Sequence, residues 1–176
     1  TSAIDYETAT SCTITVRATS ADSSTSDTTF TVTLTDVDEF DVGAVTDTDS
    51  DANTLAENAA NGDTAEITAS ATDADGTTNT VTYAITAQSC SGAFAINSGS
   101  GAVTVADTSA IDYETATSCT ITVRATSADS STSDATFTVT ITDHDEFDVG
   151  SSSDTDSDAN TLAESVSNGA SAEITA

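Results

Sequence analysis

Thr142-Asp143-His144-Asp145-Glu146-Phe147-Asp148-Val149-Gly150 repeats an earlier stretch, Thr35-Asp36-Val37-Asp38-Glu39-Phe40-Asp41-Val42-Gly43. Asp36 and Asp143 are 107 residues apart (143 − 36). Each copy sets a cluster of carboxylates directly after an alternating apolar–polar run. Like charges at that density repel unless something neutralises them. A hard divalent cation is the simplest neutraliser, because Ca²⁺ takes about six to eight oxygen ligands and favours carboxylates. The stretch therefore reads as a metal-clamped joint between tandem domains.

The same period runs through the chain. Thr1–Ala69 recurs almost unchanged as Thr108–Ala176, so that Thr1–Cys12 returns as Thr108–Cys119 and Asp51–Glu57 as Asp158–Glu164. A period of this length is a whole domain, not a solenoid unit. The expected organisation is the C-terminal part of one repeat over 1–38, a complete repeat over 39–145 and the N-terminal part of the next over 146–176. The chain starts in mid-pattern without an initiator Met, as a window of a longer polypeptide does.

Within the complete repeat the apolar period is two, which means strands. Strands are expected at Ala65–Ala71, Val81–Ile85, Phe94–Ile96, Val103–Val105, Ile121–Ala125 and Phe137–Ile141, with a further strand ending in Leu55-Ala56-Glu57. Asp73-Ala74-Asp75-Gly76 and Asn97-Ser98-Gly99-Ser100-Gly101 are turns. Thr is abundant because a β-branched side chain suits a pleated surface. No segment has helical period. About seven short strands per ~100 residues is the pattern of an all-β sandwich. The expected core is thin: Leu55, Ile67, Val81, Tyr83, Ile85, Phe94, Ile96, Val103, Val105, Ile111, Ile121, Val123, Phe137, Val139 and Ile141. Such a core gains from added staples, metal or disulfide.

Composition excludes several functions. Thirty acidic residues against two basic ones give a formal net charge of −28. Nucleic acid is no partner for such a chain, since phosphate binding needs a basic patch. Anionic membrane surfaces are disfavoured for the same reason. No apolar run approaches the ~18 residues of a membrane span, so no membrane insertion is expected here. Charge of this size could also mean disorder, but 36% of residues are hydrophobic and fall in clean alternation. Ser, His and Asp all occur, yet nothing positions a nucleophile beside a base. The reading is of a protein that is not an enzyme.

Five motifs in order resemble the cadherin repeat, in its bacterial tandem form. Leu55-Ala56-Glu57-Asn58 looks like the family's early Glu motif, and Asp73-Ala74-Asp75-Gly76 like its Asp-x-Asp turn. Phe94-Ala95-Ile96-Asn97 through Gly101-Ala102-Val103 resembles its Phe-x-Ile-Asp…Gly-x-Ile segment. Ile111-Asp112-Tyr113-Glu114 is similar to Leu-Asp-x-Glu, and Asp143-His144-Asp145-Glu146-Phe147 to the Asp-x-Asn-Asp-Asn linker. The resemblance implies tandem Greek-key sandwiches with three Ca²⁺ ions between consecutive domains. Carried over residue by residue, the first junction would use Asp5, Glu7, Asp36, Asp38, Glu39, Asp73 and Asp75. The second would use Glu57, Asp112, Glu114, Asp143, Asp145 and Glu146.

There are departures. Phe40 and Phe147 stand where the family often has Asn, at a position that ligates through its main-chain carbonyl. Val-x-Ala-x-Asp becomes Val123-Arg124-Ala125-Thr126-Ser127, with Ser127 on the ligand position and Asp129 two residues later. No Trp exists for strand-swap docking. For each acidic group the plain alternative is a solvated face. Asp47-Thr48-Asp49-Ser50-Asp51-Ala52-Asn53 imitates an EF-hand start, but Ala52 stands where Gly is required, and it reads as a solvated loop. His144 is expected to be exposed, Tyr6, Tyr83 and Tyr113 to pack, and Arg17 and Arg124 to point outward toward neighbouring acids.

In a cadherin-like sandwich the strands Val81–Ile85 and Ile121–Ala125 are antiparallel neighbours. The resemblance thus implies a Cys90–Cys119 disulfide, with Cys12, the counterpart of Cys119, pairing outside this window. That bond implies an oxidising compartment. The expected protein is an extracellular or bacterial cell-surface calcium-binding tandem repeat, a rigid adhesin or stalk. Its partners would be other repeats of the same polypeptide or identical chains, and an unknown surface ligand. The alternative is a structural subunit of an extracellular filament or sheath.

Overall fold

The computed structural model describes residues 4–146, 150–165, 167–170, 172, 174 and 175. They form two compact units, Thr1–His144 and Asp145–Ala176. The first unit opens with an antiparallel hairpin, β1 (Ser11–Thr19) and β2 (Thr25–Thr33), which sets Ile14 opposite Phe30 and Arg17 opposite Asp27. A linker over 34–41 leads from it into a two-sheet sandwich.

The sandwich contains β3 (Thr46–Asp47), β4 (Thr54–Ala56), β5 (Thr64–Ser70), β6 (Val81–Gln88), β7 (Phe94–Ile96), β8 (Ala102–Val105), β9 (Ser118–Ser127) and β10 (Thr132–Thr142). One sheet has the order β4-β10-β9-β6 and the other β3-β5-β8-β7. The β4–β10 pair is parallel and every other pair is antiparallel. The one helical turn among the described residues is a 3-10 turn at Thr108–Ala110, capped by Asp107. Alternation drives these strands: along β9, Cys119, Ile121, Val123 and Ala125 are all buried while Thr120 and Arg124 face water. The β9–β10 hairpin keeps the register of β1–β2, with Ile121 opposite Phe137 and Arg124 opposite Asp134. Both arginines make two hydrogen bonds to their aspartates, at 2.6–2.8 Å.

The core differs from the expected list at its edges. Val81, Ile85, Ile96 and Phe137 are only partly buried. β6 and β7 are edge strands, and β4 pairs with β10 only over Thr140–Thr142, which leaves Phe137 beyond its cover. In exchange Val42 and Val45, in the segment after the linker, are buried, as are Ala65, Ala69, Ala93 and Ala125. Small residues bring the sheets close, which is why so thin a set of large side chains suffices. Tyr83 is buried, and the N–H of Ala71 donates to its hydroxyl at 2.9 Å. Gly101 has φ +74°, and a Cβ there would lie 1.9 Å from the Ala69 carbonyl oxygen, so only glycine closes that turn.

Cys90 and Cys119 form a disulfide with Cα atoms 5.5 Å apart. β6 runs antiparallel to β9, as the implied pairing requires, and places the end of one strand beside the start of the other. Cys12 is free among the described residues.

Candidate functional site

Because β9 and β10 are antiparallel, the end of β9 and the start of β10 lie at one end of the sandwich, and the start of β9 and the end of β10 at the other. Acidic side chains gather at both.

At the first end the linker after β2, the 73–79 loop and the β9–β10 turn converge. Carboxylate oxygens of Glu7, Asp36 and Glu39 lie within 4.8 Å of one another, and so do those of Asp38, Asp75 and Asp129. Asp75 is 1% exposed. Its Oδ1 accepts from the backbone N–H groups of Glu39 (3.2 Å) and Phe40 (3.4 Å), which ties the linker to the loop. Asp73 Oδ1 accepts from the N–H of Asp75, and the Asn79 amide donates to the Asp75 carbonyl. The N–H of Gly76 donates to Glu7 Oε1, and the Thr77 hydroxyl donates to Asp36 Oδ2. Gly76 is needed there, since a Cβ would stand 2.6 Å from the Tyr6 ring.

After those bonds, Asp36 Oδ1, Asp73 Oδ2 and Asp75 Oδ2 are buried with no hydrogen-bond partner. A buried carboxylate oxygen without a donor is costly. Asp36 and Asp75 each belong to one of the two triads, while Asp73 belongs to neither, and carboxylate triads of this kind are hard oxygen donor sets that fit an alkaline-earth cation. The electrostatics agree. A hydrogen bond to Asp75, then desolvation, then the charges of Asp129, Asp75 and Asp73 push the Asp38 carboxyl up to about 6. Desolvation, followed by the charges of Glu7, Asp75, Asp36 and Asp5, raises Glu39 as well. Asp5 stands outside both triads and accepts from the N–H of Thr8.

At the other end Glu57, Asp112 and Glu114 place carboxylate oxygens within 4.8 Å of one another. Glu57 Oε2 accepts from the N–H of Tyr113 at 2.7 Å and Oε1 from the N–H of His144 at 2.6 Å. Asp112 accepts from the N–H and hydroxyl of Thr115. Asp143 is exposed just past β10, and His144 is exposed beside it. Asp145 and Glu146 are exposed and belong to the second unit. The expected carbonyl position at Phe147 lies outside the described residues.

Asp129 is the ligand candidate that motif matching passed over. Ser127, on the motif position, is buried and donates its hydroxyl to the Thr78 carbonyl at 3.0 Å. β9 runs on to Ser127, and Ser130 at φ 80° turns the chain so that Asp129 reaches the joint. Its Oδ1 accepts from the N–H and hydroxyl of Ser131, whose hydroxyl accepts from the N–H of Val42. The signal was an acid within the short β9–β10 turn. The 47–53 loop is partly structural: Asp47 Oδ1 accepts from the N–H groups of Asp49 and Thr68, while Asp49, Asp51 and Glu66 converge. In the second unit Asp154 makes the matching bonds, from the N–H groups of Asp156 and Thr175.

No helix among the described residues is long and apolar enough to cross a membrane. No curated protein sequence matches the chain. Among solved structures, it is similar to the protocadherin gammaB4 extracellular domain, with 25% identity and a TM-score of 0.65, over 81% of this chain and 23% of that one. It is also similar to mouse cadherin-23 EC22-24, with 21% identity and a TM-score of 0.64, over 81% of this chain and 46% of that one. The protocadherin gammaB7 EC3-6 cis-dimer structure gives 24% identity and a TM-score of 0.64, over 82% and 35%. The chain therefore spans less than half the length of each. Residues 51–142, more than half of the chain, match the family profile described as "Cadherin domain". With its two-sheet topology and acidic ends, this chain belongs to the cadherin domain family.

Proposed function

We propose that the acidic joint between the β1–β2 hairpin and the sandwich holds Ca²⁺, and that the chain is a calcium-stiffened segment of an extracellular adhesin or stalk. The observation that carries this reading is the trio of buried, unpartnered oxygens on Asp36, Asp73 and Asp75. When bound, the cation would supply positive charge and fill coordination that no protein donor fills. Glu7, Asp36, Asp38, Glu39, Asp73, Asp75 and Asp129 would hold it. Backbone N–H groups of Glu39, Phe40 and Gly76 orient three of the elements that carry these side chains. Glu57, Asp112 and Glu114 would serve the second joint together with Asp143, Asp145 and Glu146. That organisation is a repeat end over 1–38, a full repeat over 39–145 and a repeat start over 146–176.

The role is mechanical rather than catalytic: a linker fixed at both ends transmits force and orientation. The disulfide supports an oxidising, extracellular setting. Hydrogen exchange on the full chain tests the joint. The amides of Glu39 and Phe40 should be protected in Ca²⁺ and exchange rapidly in excess chelator. Equal exchange in both conditions would overturn the reading.

A further inference from the structure

One broad face of the complete repeat carries no net charge. In the sheet β4-β10-β9-β6, β9 buries its odd-numbered positions from Cys119 to Ser127, so the even-numbered ones face outward. The outward positions of β9 (118–126) and of β10 (132–142) are all Ser or Thr except Arg124 and Asp134. Those two bond to each other at 2.7 and 2.8 Å and cancel. At the centre of the face Thr120 stands opposite Thr138, and the hydroxyls of Thr122 and Thr136 share a hydrogen bond of 2.9 Å.

The neutral surface runs on across β6, since residues 76–106 include no charged side chain. Elsewhere the repeat is the reverse. Carboxylates crowd both of its ends, and Asp49, Asp51 and Glu66 converge beside the other sheet. The outward side of β1–β2 carries the same pattern, with the Thr15 and Thr29 hydroxyls bonded at 2.9 Å and Arg17 on Asp27.

We propose that this threonine face packs side by side against the same face of a second copy. Two features select an identical chain. A hydroxyl both donates and accepts, so a threonine surface is complementary to itself, which a carboxylate surface is not. Chains of −28 repel one another at every other approach. Here the acids of the opposite sheet lie ~10 Å behind the contact, beyond the Debye length of about 8 Å at physiological salt. Arg124 spends two guanidinium N–H groups on Asp134 and keeps the rest for the facing chain. The pairing is isologous, with one two-fold axis. β9 and β10 are 10 and 11 residues long. At ~3.3 Å per residue and ~4.8 Å between strands, the face offers roughly 500 Å² per chain. About 1,000 Å² in all is the lower limit of a specific interface, so one repeat pairs weakly and reversibly. Recurrence of the face at a period of 107 residues multiplies the contact. No residue of the acidic joints takes part, so the pairing stands apart from the cation reading.

Sedimentation velocity of the full chain tests it, in ~0.5 M salt and in a Cys12→Ser background that excludes disulfide dimers. The mass should rise from one chain toward two with concentration. Thr82→Glu/Thr138→Glu and Thr82→Lys/Thr138→Lys set like charges on the face, at exposed positions of β6 and β10. Each should weaken self-association more than ~tenfold, with melting close to that of the parent. Mixed together, the two should associate again, because opposite charges then meet. Thr46→Glu/Thr104→Glu puts the same charge on the other sheet and should associate as the parent does. A chain that stays monomeric, face variants that associate as the parent does, a mixture that stays apart, or other-sheet variants weakened equally would overturn the proposal.

Discussion

The backbone N–H of Gly76 donates to Oε1 of Glu7 across 3.1 Å, joining residues 69 positions apart in sequence. The contact fastens the β1–β2 hairpin to the sandwich without any side chain from the loop. It also explains the glycine, because a Cβ would press 2.6 Å from the Tyr6 ring. Gly76→Ala should therefore displace Tyr6 and Glu7 while leaving the sandwich core intact. Overpacking of this kind costs about 1 kcal/mol where the neighbour is a movable ring, or roughly five- to tenfold in cation affinity. Titration calorimetry of the variant measures that loss.

Asp75 separates the roles of charge and hydrogen bonding. Asp75→Asn keeps an oxygen for the N–H groups of Glu39 and Phe40 but removes a negative charge beside Asp38 and Asp129. Without metal the variant should melt higher than the parent, because repulsion is relieved. In Ca²⁺ it should melt lower, because a ligand is gone. Parallel thermal melts in chelator and in Ca²⁺ reveal the crossing.

Acidity should act in opposite directions on the two forms. The Asp38 carboxyl titrates near 6 in the folded, metal-free chain, above its unfolded value near 3.9. The folded state thus holds the proton more tightly. Its contribution to stability is fully present below about pH 4 and is lost as pH rises through about 6. Metal-free protein should gain melting temperature on acidification from pH 7 to 4.5. Calcium-loaded protein should lose it, since protons compete for the same oxygens. The two melting curves should converge near the acid end of that range.

Alternation made β5 to β10 legible, because period two survives in Ala65–Ala71, Ile121–Ala125 and Phe137–Ile141 even where Thr and Ala replace larger residues. Most of the joint was legible too, since Glu7, Asp36, Asp38, Glu39 and Asp75 fall in short motifs whose order survives. Asp129 was not, because its reach depends on how far β9 extends and on the left-handed turn at Ser130, neither of which a motif position encodes. Val42 and Val45 escaped the core list because they follow the acidic linker, where neighbouring charge suggests water. Partial burial of Val81 and Ile96 follows from strand order, a non-local property.

The disulfide should matter more than usual for so small a core. Cys90 and Cys119 are 29 residues apart, and closing such a loop contributes about 3–4 kcal/mol by the chain-entropy argument. Cys90→Ala/Cys119→Ala should lower the melting temperature by roughly 15–25 °C in chelator. Differential scanning calorimetry of the two proteins measures the shift.

Calorimetric titration of the metal-free full chain with Ca²⁺ at physiological salt tests the central claim most directly. The account predicts saturable binding at two or more sites per chain, with dissociation constants of about 10⁻⁵ to 10⁻³ M. It also predicts that Mg²⁺ competes poorly, because Mg²⁺ demands a tighter octahedral shell. Uptake that never saturates and is the same for Ca²⁺ and Mg²⁺ would show a solvated acidic surface screened by counter-ions, and would contradict the joint described here.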